Sequence, residues 1–270
     1  MTKIVVMKKI LTNNHQTKKM MGARNVPDQT FNRSSLEQRI IVYKLASMYY
    51  QDGVKVINDD RIRMLIDNID FDNQHILTAI KMLEDSSLID AKTLEQTEFD
   101  YNKLFVGPGK VKAPPYESVY RNPKRLLMQQ ETLAVRNFYR KLGIECKDNG
   151  SQPDDHLGLE LEFMSYLLHC VLQEQNQQEQ ISQEQNSQEQ ILKEQNLQSQ
   201  YLEVYKEFLE QHILQWVPKH CEQVLENSGS VICRAMALLL KGMMEVENSD
   251  RNVFIDLQGG KHDERTMQTF

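Results

Sequence analysis

Apolar residues recur at three- and four-residue intervals along most of this chain, and sheet-like alternation of valine or threonine is missing. The first such face, Ile40, Ile41, Tyr43, Leu45, Met48 and Tyr49, predicts a helix opening at Ser34 or Ser35 and ending near Gly53. Ser34 with Glu37 fits a capping box there. Shorter helices are predicted over about 59–68 and 74–84, the latter capped by Asn73, and from about 94 to 104. Asn122 followed by Pro123 pairs a cap residue with a proline at a first helical position. Leu126, Leu127, Leu133, Ala134, Phe138, Tyr139 and Leu142 then line one face, and Gly143 supplies a left-handed end. Asp154 or Asp155 caps the next run, Leu157, Leu159, Leu161, Phe163, Met164, Leu167 and Leu168, which is apolar nearly all round and predicts a buried central helix. Tyr201, Leu202, Tyr205, Phe208 and Leu209 resume the pattern as far as Trp216, and Pro218 is expected to break it. A last helix over about 231–246 turns Met236, Leu239, Leu240 and Met243 inward. The expected fold is all-α, a single helical bundle.

Composition marks where the bundle stops. Residues 173–200 form a low-complexity Gln-rich repeat with a five-residue period, which is not a helical repeat. It contains no Gly or Pro, so a solvated helical extension and a disordered insertion both fit. Residues 1–34 are polar and basic without periodicity and read as a disordered tail, with Met20 or Met21 as alternative starts. Residues 248–270 read as a polar tail. The bundle domain is thus 35–247, with the insertion inside it.

Charge and cysteine content narrow the function classes. Lys3, Lys8, Lys9, Lys18, Lys19, Arg24 and Arg33 against Asp28 give the first 34 residues +6, so the net −6 of the chain leaves −12 for the body. An acidic body argues against nucleic acid and favours a basic peptide, although solubility alone also accounts for it. Cys146, Cys170, Cys221 and Cys233 show no metal or redox spacing, which predicts a reducing compartment. The N-terminus lacks an export segment and no run reaches membrane-spanning length, so a cytoplasmic protein without stable membrane insertion is expected.

Most of the local chemistry sits in Leu104–Tyr120, LFVGPGKVKAPPYESVY. It gathers two glycines and three prolines in a chain with 11 Gly and 7 Pro. Proline fixes φ and restricts the residue before it, so this is a stiff loop, and Phe105, Tyr116, Tyr120 and Glu117 give it the makings of a peptide-binding surface. For Phe105 core packing competes with peptide contact, whereas Tyr116 and Glu117 are expected to be exposed. A second constellation, Pro153-Asp154-Asp155-His156, opens the buried helix, with Glu160 one turn on and able to hold the imidazole. There is no Glu-x-x-His for a bundle metal site, and His212 and His220 straddle Pro218, so no metal is expected. Gly107-Pro108-Gly109-Lys110 lacks the spacing and preceding strand of a phosphate loop. A nucleotide hydrolase using Gly107–Lys110 remains one alternative, and a scaffold oligomerising through the Gln-rich segment another. No catalytic residue is identified.

These blocks together, Leu104–Pro108, Ala113–Tyr120, Pro153–His156 with Glu160–Met164, and a closing run of His212, Trp216, Pro218 and 235–240, resemble the signature blocks of the TorD/DmsD family, over about Ser35 to Glu247. The basic tail, the Gln-rich insertion and Gln152 depart from it. The resemblance implies an all-helical cytoplasmic chaperone, not an enzyme and without a cofactor of its own. It would bind the twin-arginine signal peptide of a molybdoenzyme precursor and hold that client open for insertion of its molybdopterin guanine dinucleotide. A nitrate reductase delta type, with a different client class, is the nearest variant. The residues that would carry peptide binding are Phe105, Pro114, Pro115, Tyr116, Glu117, Ser118, Tyr120, Asp154, Asp155 and His156, with Asp154, Asp155 and Glu117 meeting guanidinium groups. A monomer or a dimer is compatible with this reading, and the client enzyme stays open.

Overall fold

A computed structural model describes residues 31–84, 90–146, 152–183 and 200–259. Among these the chain is all-α, with one isolated backbone bridge, Tyr116 to His156, in place of any strand. Most of 1–34, the repeat from 184 to 199 and the last eleven residues lie outside the described residues. The described helices are α1 (Arg33–Asp52), α2 (Asp60–Ile66), α3 (Gln74–Leu83), α4 (Ala91–Tyr101), α5 (Glu117–Arg121), α6 (Gln130–Lys141), α7 (Leu157–Gln183), α8 (200–208), α9 (Leu214–Asn227) and α10 (Val231–Gly259). They fall into two compact units, one made of residues up to Ile57 with Pro115–Ile213, the other of Asn58–Pro114 with everything from Leu214. No described helix is long and apolar enough to cross a membrane.

The first unit is organised by α1 lying along α7. Leu157, Leu161, Phe163, Met164, Leu167 and Leu168 are all fully buried, as the apolar run predicts. The helices come close at Gly158, where an added Cβ would stand 2.6 Å from Gln51 Cγ. Ser47 Oγ donates to the Gly158 carbonyl at 2.8 Å, and Gln51 Nε2 bridges that carbonyl and Glu162. An aromatic cluster fills the far side: Tyr139 meets Phe163, Phe163 meets Phe208, and Phe208 meets Phe138, with centroids 4.8–5.3 Å apart. Such edge-to-face pairs add about 0.5–1.5 kcal/mol each beyond their buried area.

In the second unit α10 packs on α3, α9 and α4. Met236, Leu239, Leu240 and Met243 are fully buried, as expected. Asn73 caps α3 by accepting from His75 and Ile76 N–H. The α9–α10 connection is tied to the end of α4, since Asp100 Oδ2 accepts from the N–H groups of Gly229 and Ser230 at 3.1 Å. The glycine loop folds back on the turn that ends α4, with Ala113 N–H donating to Leu104 O at 2.9 Å.

Four boundaries differ from the sequence expectation. Helix α1 is capped by Asn32, whose side chain accepts from Ser35 N–H, not by Ser34. Phe31 is packed, edge-on to Tyr205 with Arg39 4.2 Å above its ring, so the ordered body begins ahead of residue 35. Pro218 does not break its helix. A π turn, Leu209–Ile213, shifts the register one turn ahead of it, and α9 runs through the proline. Asn122-Pro123 does not start α6, which begins eight residues later at Gln130. Asn122 Oδ1 instead accepts from Lys124 N–H at 2.8 Å, closing a local turn that competes with the helix.

Gly242 lies where α10 crosses the start of α3. An added Cβ would sit 2.5 Å from Asn73 Oδ1 and 3.0 Å from Ile76 N. Gly242→Ala is expected to lower stability by about 1–3 kcal/mol, since backbone must give way. Urea unfolding monitored by far-UV circular dichroism checks this, and an unchanged midpoint would contradict the close packing.

Candidate functional site

Pro115 fixes the chain in extended form just before α5, and Pro153 does the same before α7. The two turns that follow are laced by backbone bonds. Leu157 N–H donates to Pro115 O at 2.9 Å and Glu117 N–H to Asp155 O at 3.1 Å, placing Tyr116 opposite His156. The two blocks, 37 residues apart, are therefore brought together, with the Tyr116 and His156 rings edge to face at 5.2 Å. Tyr116 is half-buried, and burial together with the Asp155 charge raises its phenol pKa.

The carboxylates do not face outward as expected. Asp155 is fully buried, with Oδ2 accepting from Ser118 N–H at 2.9 Å and Oδ1 from Thr132 Oγ at 2.8 Å. It caps α5 and ties it to α6, rather than capping α7. Glu117 is also fully buried, against the expectation of exposure. Its Oε2 lies 2.7 Å from His212 Nδ1, and Arg121 pairs with its Oε1. The Arg121 guanidinium also donates to the Gln211 carbonyl at 2.8 Å, within the π turn. Of the three acids only Asp154 keeps some exposure, and it is bound by Arg136 at 2.6 Å. Tyr139 donates to the Asp154 carbonyl, and burial together with the Asp154 charge pushes the Cys146 thiol up to about 12.

His156 is the residue that caps α7. Its Nδ1 accepts from Gly158 N–H at 3.1 Å, and burial holds its pKa down to about 3, so the ring is neutral. Ser118 is fully buried, and Tyr120 is half-buried beside Arg125. Phe105 and Pro114 belong to the second unit. There Phe105 is buried against Tyr101 and His220, which is the core-packing alternative.

Sequence reasoning gave His212 no site role. Its imidazole stacks on Phe208 at 4.8 Å and meets Phe138 edge-on, while its Nδ1 serves Glu117. The available signal was the polar His on the buried face of a helix rich in aromatics. The Gly107–Lys110 loop has positive φ at both glycines, 112° and 102°, and leads into extended chain rather than a helix N-terminus that could cradle phosphate. Among the described residues no group of three or more His, Cys, Asp or Glu is placed to hold a metal.

The fold and these laced turns define an all-helical protein with a proline turn clamped to an acid-histidine turn. Over residues 70–222, more than half of the chain, it matches the family model described as nitrate reductase delta subunit, and it belongs to that family. It is 26% identical over 154 residues to a probable Tat proofreading chaperone DmsD of Haemophilus influenzae, covering 57% of this chain and 61% of that one. It is 27% identical over 166 residues to the chaperone protein TorD of Vibrio cholerae, covering 62% and 65%. With the chaperone protein TorD of Aliivibrio salmonicida identity is 25% over 220 residues, 78% and 93% of the two chains. The chain thus spans less than two thirds of the first two relatives, and the TorD/DmsD resemblance of its motifs agrees with all three.

His156 gives a pH prediction. Its folded pKa lies below the ordinary value of 6.5, so the unfolded chain binds the extra proton and stability falls as pH drops from about 6.5 towards 3. At full slope this is about 1.4 kcal/mol per pH unit. Urea titrations at pH 7, 6 and 5 should show a shallower fall in His156→Asn than in wild type. Parallel profiles would mean that His156 already carries its proton in the folded chain.

Proposed function

We propose that this chain is a non-enzymatic chaperone that binds the twin-arginine leader of a molybdopterin-dependent oxidoreductase precursor and assists its folding and cofactor insertion before export. The observation that carries the reading is the lacing of the proline turn to the acid-histidine turn, in a chain whose relatives are named TorD and DmsD chaperones. The action is expected on the cytoplasmic side, where precursors await export.

The chemistry follows from which groups a peptide can reach. Glu117 and Asp155 are buried and engaged, so they shape the turns rather than meet a ligand directly. Asp154 carries the only partly exposed carboxylate of the three, and its partner Arg136 is itself more than a third exposed. A leader guanidinium exchanging with Arg136 would gain the same charge-assisted bonds. The half-buried Tyr116 ring, held by His156, offers an apolar edge to the stretch that follows the arginines. Pre-formed turns lower the ordering cost of binding. The net charge of −6 steers a basic leader inward.

Calorimetry with synthetic twin-arginine leaders tests this. Wild type is expected to bind, and Asp154→Asn to weaken binding about tenfold, the scale of one charged hydrogen bond. Tyr116→Ala should weaken it by a similar factor, with both variants folded. Unchanged affinity in both would remove the site, and no binding by wild type to several leaders would remove the function. Nucleotide hydrolysis, the alternative reading of Gly107–Lys110, finds no support in the loop geometry.

A further inference from the structure

The eight residues between α5 and α6 present an unusual surface. Leu126, Leu127 and Met128 are consecutive and 49%, 47% and 64% exposed, and Leu133 on the outer face of α6 is 56% exposed. Single exposed apolar residues are ordinary, but three in a row at a turn tip are not. The turn is held in that form. Asn122 accepts from Lys124 and Arg125 N–H, and Gln129 Nε2 donates to Leu127 O at 2.7 Å. Arg125 and Met128 have φ of 53° and 56°, the two non-glycine positive values among the described residues, a conformation that costs backbone strain. The sequence pattern favours a helix here, yet the chain gives it up and turns the apolar side chains to solvent. A local rule broken at a strained, exposed place points to use rather than to folding.

Charge indicates the partner. Residues 121–141 hold six basic residues against one acidic, Glu131, within a chain of net −6. Arg121, Arg136 and Lys141 are spent on Glu117, Asp154 and Glu207. Among the described residues no carboxylate pairs with Lys124, Arg125 or Arg140, which flank the apolar tip and Leu133; Arg125 leans over the Tyr120 ring at 6.0 Å. A twin-arginine leader would be repelled by these cations. A second copy docked through the same face would set Lys124 and Arg125 near their own counterparts. An anionic lipid surface satisfies both halves of the patch, its headgroups meeting the cations and its acyl boundary receiving the leucines and methionine.

We infer that the 122–129 turn is a docking element for anionic membrane surfaces, seating the chain at the bilayer with Leu126, Leu127 and Met128 inserted among headgroups held by Lys124, Arg125 and Arg140. It uses residues apart from the laced turns, and its test contains no leader, so it stands or falls separately from the proposed function.

The test is flotation of the full chain with vesicles of phosphatidylglycerol and phosphatidylethanolamine, against vesicles of phosphatidylcholine alone. Wild type is expected on the anionic vesicles only, with binding weakened by salt. Both L126Q/L127Q/M128Q and K124Q/R125Q should lose at least about tenfold in bound fraction. Phe99→Gln, removing an apolar residue that is 74% exposed elsewhere, should bind as wild type does. Circular dichroism of each variant separates loss of binding from loss of fold. Failure of wild type to bind overturns the inference. So does equal binding by both variants, which would assign the attraction to the basic segment before residue 34. A dimer that L126Q/L127Q/M128Q converts to monomer would also overturn it, since the face would then belong to a second copy.

Discussion

The buried carboxylate of Asp155 is the constraint on which the candidate site depends. Two turns far apart in sequence must share one backbone register, and the bonds from Leu157 and Glu117 fix it. Two backbone bonds on their own would leave α5, a five-residue helix, without a cap. Asp155 supplies it through Ser118 N–H and anchors the same unit to α6 through Thr132. A carboxylate with no exposure is costly unless its oxygens are satisfied, and here each oxygen has a short bond. The acid-rich look of the Pro153–His156 block is therefore largely structural, and a composition-based reading overstates how much negative charge a ligand can meet.

Glu117 extends the same logic. It is buried beside the aromatic cluster, with one oxygen bonded to His212 Nδ1 and the other paired with the Arg121 guanidinium. Removing a partner from such a group typically costs about 3–5 kcal/mol, because the remaining charge is left buried. His212 lies within the π turn, with its ring stacked on Phe208. That turn also presents the Gln211 carbonyl to Arg121. A single irregularity in the helix thus carries both the acid's imidazole and the second anchor of its guanidinium.

Much of this was legible in the sequence, for identifiable reasons. The buried faces of α7 and α10 follow from long apolar runs that admit no other period, and Asn73 caps α3 where its pattern begins. The resemblance gives the two motif blocks one shared binding role, and the Tyr116–His156 bridge brings them together. What failed were inferences from one residue type to one outcome. Pro218 is expected to end a helix, but a proline removes one N–H bond and crowds one carbonyl, a local cost that α9 absorbs with Trp216, Val217, His220, Cys221 and Val224 buried around it. Asn122-Pro123 was expected to open a helix, but an asparagine side chain can bond its own turn as readily as a helix N-terminus. The place of Glu117 beside the Pro-Pro pair suggests exposure, and nothing in a linear pattern announces that a His 95 residues later will bond its carboxylate.

The carboxylates of the laced turns also help decide which basic residues of 121–141 stay unpaired. Arg121 and Arg136 flank the 122–129 turn, and each is held by a carboxylate of the laced turns, Glu117 and Asp154. The basic residues nearest the acid turns are thereby neutralised where a cationic ligand would approach. Lys124, Arg125 and Arg140, lying between and beyond them, keep their charge on a surface that also carries exposed leucines. Pairing therefore divides one basic stretch into cations held by a carboxylate and cations without one, and the two kinds alternate along α6, where Arg136 and Arg140 stand one turn apart.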